Sequence, residues 1–430
     1  MTKSLGFWRT WSLVVGTMIG SGIFTLPTVL APYGSNSLLG WIAAGAGTLF
    51  IAVMLGALAR RIPRIGGPYA YTRAAFGDLP AFLIAWGYWI GVWSAVAAVA
   101  VSFTGYLNVF IPSLAARPFA GAVASIAAIW LFTGVNVAGV RSAGAVQFIT
   151  TLLKLVPLFV IAVAGFAVGD VTTVPSGNPG NQSFPLMMTG LVMLTMWAYI
   201  GVEAATIPAD DVVDPQRTIP RALTTGTLTV TLVYIAATLG VMALIPTTDL
   251  AQSTSPFADA AARIFGNWGT KFVGIGVLVS LIGALNANIL LTGQVLRATA
   301  LDGMFPARLA VLNKNDAPAT ALAVSSLFAT VLIMLNYTKG LIAAFELMIL
   351  LSTLATLVPY TASALADLVL QKREATDGAA LNWKSIFIAI GALSFSLFAI
   401  IGSGLEVIGY GLLLMLAGLP VYFWMTHKRG

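Results

Sequence analysis

Along the 430 residues, apolar stretches of about 20 residues recur twelve times, each long enough to cross the hydrocarbon core of a bilayer. They cover approximately 8–30, 38–59, 80–111, 119–138, 145–168, 185–208, 221–245, 269–297, 318–337, 342–370, 385–402 and 407–425. The connectors are short. Even the longest polar ones, 299–317 and 371–384, cannot fold separately. The pattern predicts one all-α polytopic membrane domain over 1–430.

Two spans carry their own interruptions. The first contains Gly16-Thr-Met-Ile-Gly-Ser-Gly22, and each glycine costs a helix about 1 kcal/mol relative to alanine. The sixth reads Met196-Trp-Ala-Tyr-Ile-Gly-Val-Glu-Ala-Ala205, with Gly201 in its middle. In hydrocarbon a broken helix survives only where its freed N–H and C=O groups meet protein, water or a ligand. Half-helix N-termini there suit an anion, as in a transporter's binding site. Spans one and six each open a set of five. The second set is then expected as an inverted repeat of the first, 8–168 against 185–370, with two extra helices over 385–425.

Composition agrees with this picture. Hydrophobic residues make up 58% and charged residues 9%, against roughly 25% charged in soluble domains, and mean hydropathy is +0.92. The first span lacks a small-residue cleavage site and is not read as a signal peptide. With no cysteine and one histidine, His427, neither a disulfide nor a metal site is expected, and no cofactor. The net charge of +7 reflects orientation rather than nucleic-acid binding. Seventeen basic residues, from Lys3, Arg64 and Arg141 to Lys428 and Arg429, fall on one side, and Arg117, Arg263, Lys271 and Lys339 fall on the other. Both termini are therefore expected in the cytoplasm, with the chain in the cell membrane.

The basic residue left over is Lys154, about 13 Å inside span five, and Glu203 lies at comparable depth in span six. Buried charges persist where they face a cavity or a partner. Either the two pair structurally, or Lys154 snorkels along its stem, or one or both titrate or stand in for a coupling cation, and the last reading is preferred. Glu346 and Asp367, near the ends of span ten, read as interfacial. Asp210, Asp211, Asp214, Arg217 and Arg221 read as a salt-bridged loop face, and Gly66-Gly67 and Gly402-Ser-Gly404 as turns. Tyr88, Trp89 and Trp93 suggest packing, whereas Trp197 and Tyr199 flank the second break. No phosphate-binding lysine loop and no nucleophile–base set occurs, which argues against an ATP-driven pump or an enzyme. Two broken helices around one site argue against a channel.

The segments Gly16–Pro27, Gly66-Gly-Pro-Tyr-Ala-Tyr71, Trp197–Glu203 and Asp214-Pro-Gln-Arg-Thr-Ile-Pro220 together resemble the amino acid–polyamine–organocation superfamily. The resemblance implies the five-plus-five inverted-repeat fold and sodium-independent secondary transport of amino acids or their amines. The bacterial arginine/agmatine and ornithine/putrescine antiporters give the nearest pattern. By that pattern Met18, Ser21 and Gly22 hold the substrate carboxylate, and the carbonyls of Met18, Trp197 and Ile200 take the α-ammonium. Tyr88, Trp197 and Tyr360 match gating aromatics, and Glu203 matches a proton-sensing glutamate. Lys154 resembles a lysine of proton-coupled and exchanging transporters of neutral amino acids, which replaces sodium between helices one and eight, where Gly16 and Ser280 offer acceptors.

Two positions depart from the pattern. Asn288 stands where a guanidinium-stacking tryptophan is found, and Val96 replaces an asparagine. With Ser352 and Trp197 they outline a mixed pocket, and losing the cation–π partner removes about 0.5–2 kcal/mol. The resulting expectation is a carrier of neutral amino acids, by proton coupling or exchange. The alternative is a cationic amino acid/polyamine antiporter. The expected partners are a small amino acid, the lipid bilayer and, under coupling, protons; a homodimer is compatible with the sequence and nucleic acid is not.

Overall fold

The computed structural model describes residues 5–62, 67–138, 144–206, 212–376 and 382–427. Lys3, Arg64, Gly66, Arg141, Asp210, Asp211, Lys428 and Arg429 lie outside the described residues. Within them the chain forms seventeen α-helices and no strand, only two isolated bridges.

The first span is two helices, α1 (Phe7–Met18) and α2 (Ser21–Leu30). The second is α3 (Ser37–Arg61), followed by the short α4 (Pro68–Phe76) and the third span, α5 (Asp78–Leu107). A single turn, α6 (Ser113–Ala116), leads to α7 (Pro118–Val137) and α8 (Gly144–Val168). The sixth span begins as α9 (Phe184–Met196) and continues as two 3-10 segments, Trp197–Tyr199 and Val202–Thr206. Then come α10 (Pro215–Leu244), the short α11 (Thr247–Leu250), α12 (Pro256–Leu301), which is kinked at the non-helical Gly266, α13 (Ala319–Asn336) and α14 (Gly340–Thr376). The last two spans are α15 (Trp383–Ile401) and the pair α16 (Gly404–Leu416) and α17 (Gly418–His427).

Nine stretches among the described residues are long and apolar enough to cross a membrane. One of them holds both α13 and α14, and the shorter apolar helices Lys154–Val168 and Phe184–Tyr199 complete the twelve spans. Proline at the first helical turn starts α4, α7, α9, α10 and α12, where its missing N–H costs nothing. Sequence hydropathy places the ends of α12 and α14 too early, because both helices project past the apolar stretch at the arginine-rich end. Gly402 and Ser403 form the expected turn.

The spans are not equally central. In Phe7–Tyr33 and Asp78–Leu107, 83% of the apolar window is buried, against 11% in Gly404–Met425. Spans one and three therefore run through the middle, and span twelve lines the periphery. Hydroxyl pairs fasten the third, fourth and ninth spans: Thr104–Ser125 at 2.7 Å, Thr133–Ser326 at 2.6 Å, and Trp89 Nε1 to Ser325 Oγ at 2.8 Å. Such contacts replace the hydrophobic drive that lipid does not supply between helices. Trp89 and Trp93 pack as expected, in an aromatic cluster with Phe328.

At the arginine-rich end, α4 is tied to three helices. Tyr69 donates to Asp302 Oδ2 at 2.6 Å, Arg73 meets Asp78 at 2.8 Å, and Arg373 caps α4 through the carbonyls of Ala74 and Ala75 at 3.2 and 2.9 Å. Burial, then the bond to Asp302, raises the Tyr69 phenol above its ordinary range, so it stays a donor. Asp367, at the arginine-rich end of α14, is fully buried, paired with Arg61 and bonded by Gln371 at 2.8 Å, because a buried carboxylate needs a cation. Of the predicted loop face, the exposed Asp214–Arg217 pair forms at 3.9 Å.

Candidate functional site

The interruption in the first span falls at Ile19 and Gly20, inside the predicted glycine stretch, which itself is otherwise helical. Gly20 N–H turns to the Met18 carbonyl at 2.9 Å instead of continuing the helix to Gly16. That frees the Gly16 carbonyl, and Lys154 Nζ donates to it at 3.1 Å. Lys154 is buried, and its ammonium holds the end of α1 to α8. The expected second acceptor is not engaged: Ser280 Oγ is buried without a hydrogen-bond partner. The weighed Lys154–Glu203 pair does not form either, because Glu203 is held elsewhere.

Glu203 is 1% exposed and collects three donors. Tyr88 OH lies 2.8 Å from Oε1, Gly201 N–H lies 3.2 Å from Oε2, and Tyr360 OH bonds Oε2 as well. One carboxylate thus gathers both tyrosines expected to gate, one from α5 and one from α14, beneath the break in the sixth span.

The two breaks meet directly. A Cβ on Gly22 would lie 2.9 Å from Ala198 Cα and 3.2 Å from Trp197 Cδ1, so only glycine permits this approach. Gly201, at φ +105°, rests on Thr17, whose hydroxyl donates to the Gly201 carbonyl at 3.1 Å. Tyr234 of α10 places one hydroxyl 2.7 Å from the Met18 carbonyl and 2.9 Å from that of Ala198. Neither Thr17 nor Tyr234 was expected from the sequence. Tyrosines usually mark span ends, so one at the centre of span seven was the available signal for Tyr234.

The other expected residues divide between free and occupied groups. Ser21 Oγ, at the start of α2, and Trp197 Nε1 are buried without partners. Val96 belongs to the same buried cluster as Met18 and Trp197, with Ile200 packed against it. Asn288 is half-buried, donates to Ala284 at 2.8 Å, and follows by one turn the residue that Gly20 faces. Two groups are already committed. The Met18 carbonyl accepts from both Gly20 N–H and Tyr234 OH, which uses its two lone pairs. Ser352 spends its proton on the Gly91 carbonyl at 2.7 Å, fastening α14 to α5. The Met18 carbonyl expected to take the α-ammonium is thus already bonded, and Ser352, expected in the pocket wall, has its proton on α5. Among the described residues no group of His, Asp or Glu able to hold a metal occurs.

Residues 5–421 match the family model described as amino acid permease. The chain is similar to a protein of Bacillus subtilis (strain 168) named for arginine/ornithine antiport, 33% identical over 357 residues, covering 76% of this chain and 75% of the relative. It is similar to the cadaverine/lysine antiporter of Escherichia coli (strain K12), 32% identical over 328 residues, 75% of this chain and 73% of the relative. With the arginine/ornithine antiporter of Pseudomonas aeruginosa it shares 32% identity over 321 residues, 72% of this chain and 66% of the relative.

Proposed function

The chain belongs to the amino acid permease family, a family of transporters rather than enzymes, and we propose that it exchanges cationic amino acids for related amino acids or amines. The observation that carries this reading is the similarity, over about three quarters of the chain, to antiporters named for arginine, ornithine, lysine and cadaverine. The neutral preference expected from Asn288, Val96 and Lys154 rests on three side chains, and the relatives weigh against it.

In this reading the N–H groups that open α2 and the free Ser21 hydroxyl bind the α-carboxylate, helped by the dipole of α2. The carbonyls of Trp197 and Ile200 take the α-ammonium, since Met18 O is occupied. Trp197 walls the site. Lys154 stands in for a fixed or switchable cation holding α1, and the Tyr88–Glu203–Tyr360 cluster closes the arginine-rich end and senses protons. The repeats 8–168 and 185–370 move against each other, 385–425 stays peripheral, and both termini face the cytoplasm at the cell membrane. A homodimer is compatible with this arrangement.

Counterflow in proteoliposomes across the twenty amino acids, agmatine, putrescine and cadaverine tests the proposal. Exchange of lysine, ornithine or arginine is expected. Exchange restricted to neutral amino acids would return the site to the earlier expectation.

A further inference from the structure

Glu346, Thr353 and Tyr360 stand seven residues apart on α14, so they share one face and step along it by about 10 Å each. Both ends of this stripe look at the interrupted spans. Glu346 lies within electrostatic reach of Tyr33, where the first span finishes. Tyr360 donates to Glu203 beneath the break in the sixth. Thr353 therefore faces the level of the breaks themselves. Ser352 is turned about 100° away, onto α5, which accounts for its bond to Gly91.

The upper two members have polar groups with nothing to bind. Thr353 is fully buried, and its Oγ1 has no hydrogen-bond partner. Buried hydroxyls are ordinarily satisfied, so an unmatched one facing a binding level points to a ligand. Among the described residues Glu346 is half-buried, accepts no hydrogen bond and joins no ion pair. By contrast, Glu203, Asp259, Asp302 and Asp367 are each held by a tyrosine, a serine or an arginine. A half-buried carboxylate without a counter-charge attracts a cation.

We propose that this face of α14 is the track for the substrate's distal cation. Glu346 draws the cation in at the outer end, and Thr353 Oγ1 accepts from it at the level of the breaks. The carboxylate and α-ammonium are read by main chain, which every amino acid presents alike. The position of Thr353 then sets which side-chain length fits. This inference rests on the cationic reading above.

The test is initial-rate exchange of labelled lysine and ornithine in proteoliposomes, for wild type, Glu346→Gln, Glu346→Asp, Thr353→Val and Thr353→Ser. At low salt Glu346→Gln is expected to raise KM for both substrates roughly threefold to tenfold with kcat unchanged, and high salt to shrink the difference. Glu346→Asp should restore most of the loss. Thr353→Val, which keeps the shape and removes the hydroxyl, should change the lysine-to-ornithine KM ratio, and Thr353→Ser should preserve it. Wild-type KM in Glu346→Gln at low salt removes the outer carboxylate from the track. An unchanged ratio in Thr353→Val removes the hydroxyl. Wild type that exchanges no dibasic substrate overturns the cationic reading itself, a result visible before any variant is compared.

Discussion

A side chain on Gly22 would stand 2.9 Å from both the Cα and the Cβ of Ala198, so the two interrupted spans touch backbone to backbone. Overpacking a tight contact costs about 1–3 kcal/mol. Gly22→Ala is therefore expected to lower the thermal midpoint and abolish most exchange, because the α2 N-terminus is pushed from its place. Exchange at the wild-type rate would mean that the breaks tolerate separation by a methyl group.

Tyr234→Phe removes the hydroxyl between the Met18 and Ala198 carbonyls while keeping the ring against Trp41 and Tyr199. A lost hydrogen bond of this kind is worth about 1 kcal/mol; the Met18 carbonyl keeps the Gly20 N–H, and the Ala198 carbonyl loses its tyrosine donor. The variant should fold and exchange more slowly. Because the Met18 carbonyl is released, its affinity for the α-ammonium should not fall. A tenfold rise in KM with an unaltered rate would contradict this.

Lys154→Ala should impair turnover more than substrate affinity. It leaves the Gly16 carbonyl unmatched and frees α1 from α8 without touching the start of α2. Rates measured across the physiological window, about pH 5 to pH 8, decide it. Turnover equal to wild type throughout rules out a role in closure.

Glu203→Gln turns one oxygen into a donor, facing either Tyr88 or the Tyr360 and Gly201 donors. An amide facing Gly201 N–H opposes a donor and cannot be satisfied, and one facing Tyr88 is accepted only if that hydroxyl turns its own proton away from the site. We expect the tyrosines to part, and the pH dependence of exchange, measured over the same range, to flatten. A profile parallel to wild type would place the proton-sensing group elsewhere.

Asn288→Trp tests the one wall that argues for neutral substrates. Asn288 bonds only its own helix, so its replacement breaks no hydrogen bond to a neighbouring helix. An added stacking face is worth about 0.5–2 kcal/mol to a guanidinium, which should appear as tighter arginine competition in counterflow. Weaker competition would show that this position does not face the substrate side chain.

The twelve spans were legible from hydropathy alone, because a bilayer demands long apolar helices and the chain meets that demand twelve times. So were the two broken helices, since glycine spacing within an apolar segment is a local signal. Even the Lys154–Gly16 contact could be anticipated, because a break must leave carbonyls unmatched and a buried ammonium must find some. Which carbonyl was freed depended on one N–H, that of Gly20, turning back to Met18.

The rest was decided by neighbours far apart in sequence. Lys154 and Glu203 sit at similar depth, so spacing could not exclude a pair. Three donors from α5, α14 and the sixth span settled Glu203 on the tyrosines. The sequence singled out Ser352 and not its neighbour Thr353, and only the rotation of α14 against α5 gave the first to Gly91 and left the second buried without a partner. Met18 looked free until Tyr234 arrived from a helix more than two hundred residues away. Composition and period determine which segments cross the membrane and where they fail. Which polar groups the failures satisfy, and which remain for a substrate, depends on helix rotation and contact, and that is set by packing across the whole bundle.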